Sequence, residues 1–264
     1  MAESLGHDVS VTDISTDYIT IGVWGHHART TLQRVVDDAA AIEADNFPFA
    51  SFKHVTIAGC QVILFRISYV GEQGFALHMR YEDGLAVWDA IRAEGVMPFG
   101  IETYATYRRM EKSLRLQNAD HMPEYNLLEA GLARPKVKDD DFVGKSAHLA
   151  HRARDHQPAT LCTLVMDENR DSTGTARYQV GVLPILDPKT GQTLVDTEGR
   201  RSFTTSIAYG PSVGKNIALS YLPHEHAVEG NTFHAEYFGE VFPMTVAAVG
   251  YKALYDPDNT RPKS

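Results

Sequence analysis

The sequence predicts an α+β protein with an α/β region over residues 1–157, a small β-barrel domain over 158–255 and a short tail over 256–264. Three observations carry that expectation. Up to about residue 115 the apolar positions switch between a period of two and a period near 3.6, as alternating strands and helices require. Beyond residue 158 the chain consists of short alternating runs separated by Gly, Pro and Asp turns, the pattern of a small barrel or sandwich. Between them lies a charged and polar stretch, Lys136 to Asp141 followed by Ala147 to His156, where the composition shifts.

Val9 to Asp13 and Tyr18 to Val23 are predicted short strands. Leu32, Val35, Val36 and Ala39 recur at helical spacing over 28–41, and Asn46 to Ala50 forms a loop around Pro48. Over 61–69, Ile63, Phe65, Ile67 and Tyr69 share one face and Arg66 and Ser68 the other. Gly71 and Gly74 mark a turn, after which Phe75, Leu77 and Met79 resume the alternation, so a β-hairpin is expected. Residues 83–94 place Leu85, Trp88 and Ile91 on one helical stripe that stops at Gly95. A further helix is expected over 103–115 with Tyr107, Met110 and Leu114 inward. In the second region the expected strands are 160–167, 178–186, 202–208, 214–222, 231–238 and 241–249, and the tail from Asp256 is expected to be loose.

Bulk properties narrow the function. With 43% apolar residues the chain can build a substantial core. A formal net charge of −9 argues against a phosphate-backbone partner, and the longest basic run, Arg152 to Arg154, is too short to offset it. No nucleic acid and no membrane are therefore expected as partners. Cys60 and Cys162 each lie in an apolar run and are expected as buried thiols of a reducing compartment. No signal peptide is legible over Met1 to His7, and a cytoplasmic protein is expected. His224 and His226, and His148 and His151, have spacings a zinc ion can use, but neither pair has an evident third ligand, so no metal is expected. Gly71 and Gly74 belong to a hairpin turn and not to a phosphate loop.

Four segments carry a family resemblance. They are Tyr69-Val70-Gly71-Glu72-Gln73-Gly74; Arg109-Met110-Glu111-Lys112; Leu128-Glu129-Ala130-Gly131-Leu132 continuing to Asp141-Phe142-Val143-Gly144-Lys145; and Val213-Gly214-Lys215-Asn216-Ile217-Ala218-Leu219-Ser220-Tyr221. In this order and spacing, over about residues 8–257, the chain resembles the glycine-cleavage T-protein family, in the version also fused to dimethylglycine and sarcosine dehydrogenases. The resemblance implies a partial T-protein-like α/β folate-binding domain followed by a C-terminal β-barrel. It also implies a transferase that moves a methyl or aminomethyl unit from a small methylated donor onto N5 or N10 of tetrahydrofolate. Roughly the first third of the family pattern, with the aspartate that positions the reacting nitrogen, has no match in this sequence. Asp13 and Asp17 do not replace it by motif, so the catalytic residues stay unassigned. The chain is expected to be a fragment, to be completed by a partner subunit, or to have lost catalysis. Exposed sheet edges or apolar surface then call for a partner chain or an oligomer.

A pterin needs paired donors and acceptors at its edge and aromatic surface at its face. Tyr69 falls where the family places a pterin-contacting tyrosine; taken alone it reads as the end of a core-facing row. Glu72 is either a contact or a solvated turn residue. The family glutamate that grips the pterin edge is replaced by Ala76, and a family arginine upstream of the Arg-Met-Glu-Lys motif has no match. The stretch Glu102-Thr103-Tyr104-Ala105-Thr106-Tyr107 stands in its place with a one-residue insertion. Glu102 can supply a carboxylate and Tyr104 or Tyr107 stacking, against the plainer reading of a helix start with ordinary aromatic packing. Arg109 and Glu111 point to different helix faces, one toward a site or the domain junction and one structural. Lys215 is a candidate for the folate glutamate tail or an ordinary surface lysine. The alternative function is a non-catalytic folate-binding subunit of a flavin-dependent demethylase or oxidase.

Overall fold

The computed structural model describes residues 9–264 and separates into two compact units. The first unit holds residues up to Ser68, Glu72–Phe99 and Asn259–Ser264; the second holds Tyr69–Gly71 and Gly100–Asp258. The compositional boundary near residue 157 falls inside the second unit. Residues 100–157 group with the C-terminal strands because Met110, Tyr125 and Ala130 share a buried cluster with Ala159, Leu161, Ala208, Ile217, Leu219 and Tyr221.

The first unit is a four-stranded antiparallel sheet in the order β1-β4-β3-β2, made of β1 (Tyr18–Trp24), β2 (Phe52–Ile57), β3 (Cys60–Phe65) and β4 (Gly74–Arg80). The expected hairpin forms: Ile63 pairs with His78, Leu64 with Leu77 and Phe65 with Ala76. One face of the sheet supplies Ile21, Val23, Val55, Val62, Leu64, Phe75, Leu77 and Met79 to a core closed by α1 (Ala28–Gln33) and α2 (Gly84–Ala93). Three expectations change here. Val9 to Asp13 is not a strand; Asp13 instead accepts hydrogen bonds from the backbone and hydroxyl of Ser15 at 2.9 and 2.6 Å, which favours a turn. α2 buries Gly84, Val87 and Ile91, while Leu85 and Trp88 face outward. The tail is not loose: Thr260–Lys263 forms the short helix α5 with Pro262 buried.

On the opposite sheet face, Trp24 folds back over its own strand. A Cβ at Gly22 would lie 1.6 Å from the Trp24 ring and one at Gly74 2.1 Å, so both positions need glycine. The Trp24 and Phe99 ring centroids are 5.8 Å apart.

The second unit is built around six antiparallel strands in the order β6-β9-β10-β5-β8-β7. They are β5 (Ala159–Met166), β6 (Ile185–Leu186), β7 (Thr204–Gly210), β8 (Lys215–Pro223), β9 (Thr232–Tyr237) and β10 (Glu240–Val249). The end strands join. The Ile185 N–H donates to Ser202 O at 3.0 Å and the Thr204 N–H to Leu183 O at 2.8 Å, with Pro184 bridging Phe203. That closes the sheet around Cys162, Leu164, Ile185, Ala218, Ala235, Phe242 and Met244. Most of the expected 178–186 strand is irregular, and only Ile185–Leu186 pairs as a strand. Both cysteines are free thiols; Cys162 is buried and Cys60 half-buried. Burial pushes the Cys162 thiol up to about 12. Among the described residues no helix is long and apolar enough to cross a membrane.

Outside the barrel, the helix expected over 103–115 is a π-helical turn, Thr103–Arg108, leading into α3 (Arg109–Glu111). A π turn absorbs one residue beyond the α-helical count. α3 ends at Lys112, and Ser113 adopts φ 57°. Farther on lies α4 (Lys145–Arg152).

Gly22→Ala is expected to lower unfolding free energy by about 1–3 kcal/mol through overpacking against the indole. The double variant Gly22→Ala/Trp24→Ala should show a non-additive gain over the sum of the single changes, read from urea unfolding curves.

The buried thiol gives a pH dependence. Because the folded Cys162 keeps its proton above the pH at which an exposed thiol loses it, its contribution is complete below the unfolded pKa. It declines as pH rises through that value toward about 12. Unfolding free energy measured from pH 8 to 11 should therefore fall, and Cys162→Ala should flatten the slope.

Candidate functional site

The π turn and the segment Tyr69–Gly71 both belong to the second unit and bring the sequence-predicted aromatics together. Thr103, Tyr104, Thr106 and Tyr107 are weak helix formers, so packing must hold this turn. Arg109 supplies the anchor. Its guanidinium donates to Asp120 Oδ2 at 2.5 Å, Ser206 Oγ at 2.6 Å, Leu114 O at 3.0 Å and Ala105 O at 2.5 Å. Asp120 is fully buried and also accepts from Thr205 Oγ1 at 2.5 Å, Ser206 Oγ at 2.7 Å and the Leu116 N–H at 3.0 Å. The pair thus bolts the turn to β7. Glu111, also fully buried, accepts from the Ser212 N–H, from the Val213 N–H at 3.2 Å and from Arg108 at 2.5 Å. The expectation that one of Arg109 and Glu111 faces a site is therefore corrected: both are interior.

Tyr69 and Tyr104 lie against each other with ring centroids 5.1 Å apart and planes tilted by 47°. The Tyr69 hydroxyl donates to Arg115 O at 2.9 Å, which fixes the ring. Both residues are half-buried, and burial raises both phenol pKa values, so both rings are neutral near pH 7.

A second group sits on the outer side of the turn. Tyr178 Oη donates to Tyr107 Oη at 3.0 Å, and Tyr107 Oη donates to Glu102 Oε2 at 2.7 Å. The hydrogen bonds with Tyr178 and then Glu102 hold the Tyr107 phenol well above its ordinary pKa. The arrangement presents a carboxylate whose one oxygen is engaged by a phenol. Its chemical capacity is to accept hydrogen bonds from a polar ring edge.

The remaining candidates are placed elsewhere. Glu72 belongs to the first unit, where its mostly buried carboxylate pairs with Arg261 at 3.2 Å and lies 3.7 Å from His26. It is not a solvated turn residue. Ala76 is buried on β4 between Gly22 and Phe65. Lys215 is exposed and pairs with Asp167. Glu129 fixes its loop, accepting from the Asn126 N–H at 2.9 Å, from Asn126 Nδ2 at 2.8 Å and from Arg200. His224 stacks on His156 with centroids 4.4 Å apart, and His148 accepts from Arg152 at 2.9 Å. Among the described residues no group of three or more His, Cys, Asp or Glu side chains is placed to hold a metal.

Sequence reasoning missed Asp120 and Tyr178. Asp120 is eleven residues from Arg109, beyond any helical spacing, in a loop where Asn118 takes φ 64°. Tyr178 is an exposed aromatic in an irregular segment and carries no local signal.

These features define an α+β fold with a C-terminal barrel and an aromatic cluster on a π turn, and comparison with known proteins places it. A family model described as the GCVT N-terminal domain matches residues 1–138, and one described as the glycine cleavage T-protein C-terminal barrel domain matches residues 177–254. The chain belongs to the glycine cleavage T-protein family. Members of this family use tetrahydrofolate. Human mitochondrial dimethylglycine dehydrogenase is 29% identical over 91% of this chain and 26% of its own length. An aminomethyltransferase of Desulfitobacterium hafniense is 30% identical over 88% of this chain and 59% of its own length. The chain thus spans about a quarter of the dehydrogenase and about three fifths of the aminomethyltransferase. The crystal structure of glycine cleavage system aminomethyltransferase T from Bartonella henselae has the same fold. Its TM-score is 0.69 at 19% identity, covering 90% of this chain and 60% of that one.

Arg109→Met is expected to cost about 3–5 kcal/mol by leaving the Asp120 carboxylate buried without its partner. Arg109→Met/Asp120→Leu should recover part of that loss. Chemical denaturation of the three variants checks both statements.

Proposed function

We propose that this chain is the folate-handling portion of a tetrahydrofolate-dependent one-carbon transferase, moving a methyl or aminomethyl group from a small methylated donor. The observation that supports this most is the pairing of family membership with two neutral tyrosine rings fixed against each other beside a π turn. A reduced pterin is flat and uncharged at its ring, and such rings offer it a face. Tyr69 and Tyr104 would hold the ring system. Glu102, steadied by Tyr107, would take the donor groups of the pterin edge in place of the carboxylate that Ala76 lacks. When bound, tetrahydrofolate supplies the nitrogen that accepts the one-carbon unit. This chain's residues orient it and shield one face from water. Arg109 supports the turn and does not contact the ligand. Glu72, held by Arg261, and Lys215, held by Asp167, are secondary candidates whose ion pairs would have to open first. No residue of this chain is assigned a proton-transfer role.

A second reading is favoured by the dimethylglycine dehydrogenase relatives, in which the matched region is about a quarter of a longer protein. The chain would then be a non-catalytic folate-binding subunit that captures the one-carbon unit released by an associated flavin-dependent demethylase or oxidase. A partner chain or a second copy belongs with either reading.

Calorimetric titration with tetrahydrofolate should show binding that weakens about tenfold in Tyr69→Ala or Tyr104→Ala. Incubation with tetrahydrofolate and methylated amines, with and without a partner flavoprotein, separates the readings. Product with donor alone supports the transferase, and product only in the partner's presence supports the subunit. Absence of folate binding overturns both.

A further inference from the structure

The second unit contains a cavity of about 550 Å³ that the aromatic turn does not line. Its walls come from residues 121–133, from 134–138 and from 142–151, where α4 lies. The size suits a small organic ligand. Leu127, Leu132, Val137, Phe142 and Val143 give the cavity apolar surface. Leu127 is 42% exposed and Val143 75% exposed, so part of that surface is open to water.

Charge sets this cavity apart. In a chain with a net charge of −9, no lining residue is Asp or Glu, while Arg134, Lys136 and Lys138 all line it. Among the described residues none of these three cations pairs with a carboxylate, whereas the exposed Lys215 and Lys252 of the same unit pair with Asp167 and Glu229. Lys138 Nζ instead lies 5.3 Å from the centroid of the Phe142 ring. The ring nitrogens of His121, His148 and His151 add further polar groups. An anion is the partner this lining lacks. The apolar surface beside the cations favours an anion that carries a hydrocarbon or aromatic body.

The walls are tied to one another. Arg152, near the end of α4, donates to His148 Nε2 at 2.9 Å, to Arg134 O and to Pro135 O at 3.4 Å, which joins the helix to the 134–138 wall. The Leu132 and Ala133 N–H groups both donate to Leu127 O, at 2.9 and 3.1 Å, and close the 121–133 wall on itself. Asp139 to Asp141, the nearest carboxylates in sequence, do not line the cavity. Lys145 Nζ holds their loop by donating to Asp139 O at 2.6 Å and Asp140 O at 3.2 Å. The cations and the apolar surface are thus placed by the fold before any ligand arrives.

We propose that this cavity binds a small amphipathic anion. Its carboxylate or phosphate head is met by Arg134, Lys136 and Lys138, and its apolar body lies against Leu127, Phe142 and Val143. None of the lining residues belongs to the proposed folate contacts, so the site stands or falls independently of that assignment.

The test is calorimetric titration of the full chain with octanoate, octyl phosphate, octanol, octylammonium and acetate. Octanoate or octyl phosphate should bind at least about tenfold more tightly than octanol, octylammonium or acetate, and the tighter of the two names the head group. Hexanoate should bind roughly tenfold more weakly than octanoate, because two methylenes leave the apolar surface. Lys136→Gln/Lys138→Gln should weaken octanoate about tenfold and leave octanol unchanged. Val143→Asp should weaken both, and Lys252→Gln, outside the cavity, neither. All these positions are exposed, and thermal unfolding checks that each variant keeps the fold. The proposal is overturned if octanoate and octyl phosphate bind no more tightly than octanol, or if their binding survives both cavity variants unchanged. Binding of an aspartate-rich peptide without binding of either small anion assigns the surface to an acidic protein and likewise overturns it.

Discussion

The contact between Arg109 and Asp120 underlies the rest of the second unit. Both groups are out of water, and their side-chain partners are supplied by the π turn, the turn after α3 and β7. A charge pair in such a place is not chiefly a source of stability, because desolvation offsets most of the attraction. Its effect is geometric. Seven hydrogen bonds with fixed directions leave the π turn one orientation relative to the barrel wall. The rings of Tyr69 and Tyr104 and the phenol of Tyr107 inherit that orientation.

The π turn explains how an irregular local sequence serves a precise arrangement. An added residue in an ordinary helix would rotate everything downstream by about 100°, destroying the buried positions of Met110 and Glu111. Widening a single turn confines the change to Thr103–Arg108 and leaves the Arg-Met-Glu-Lys motif in register with the strands it packs on. The π turn therefore shapes the aromatic surface while sparing the scaffold.

Much of this was legible in the residues. Alternation located β3, β4, β5, β8, β9 and β10, because each buries one face or both and so imprints its period on the chain. The Tyr-Val-Gly-Glu-Gln-Gly and Arg-Met-Glu-Lys motifs contribute Tyr69 and Arg109 to the second unit. What failed did so for physical reasons. Leu85 and Trp88 have helical spacing but sit on the outer face, since Gly84 and Val87 fit more closely against β1. Residues 178–184 have strand-like composition yet carry the barrel's closing hydrogen bonds irregularly, which no local pattern encodes. The division near 157 followed charge density, whereas packing follows Met110 and Tyr125 across it. Arg109 and Asp120 are joined only by tertiary folding, so neither spacing nor composition could disclose that the arginine is interior.

Barrel closure has a consequence for growth of the sheets. With β6 and β7 tied together through Ser202, Leu183 and Pro184, the two ends of the second unit's sheet are joined at Leu183–Ile185 and Ser202–Thr204. The first unit differs: among the described residues its outermost strands, β1 and β2, each pair with a strand on one side, and the end of β2 is bridged by Val36. Among the described residues, main-chain pairing with a further strand is therefore open to the edges of the first unit's sheet.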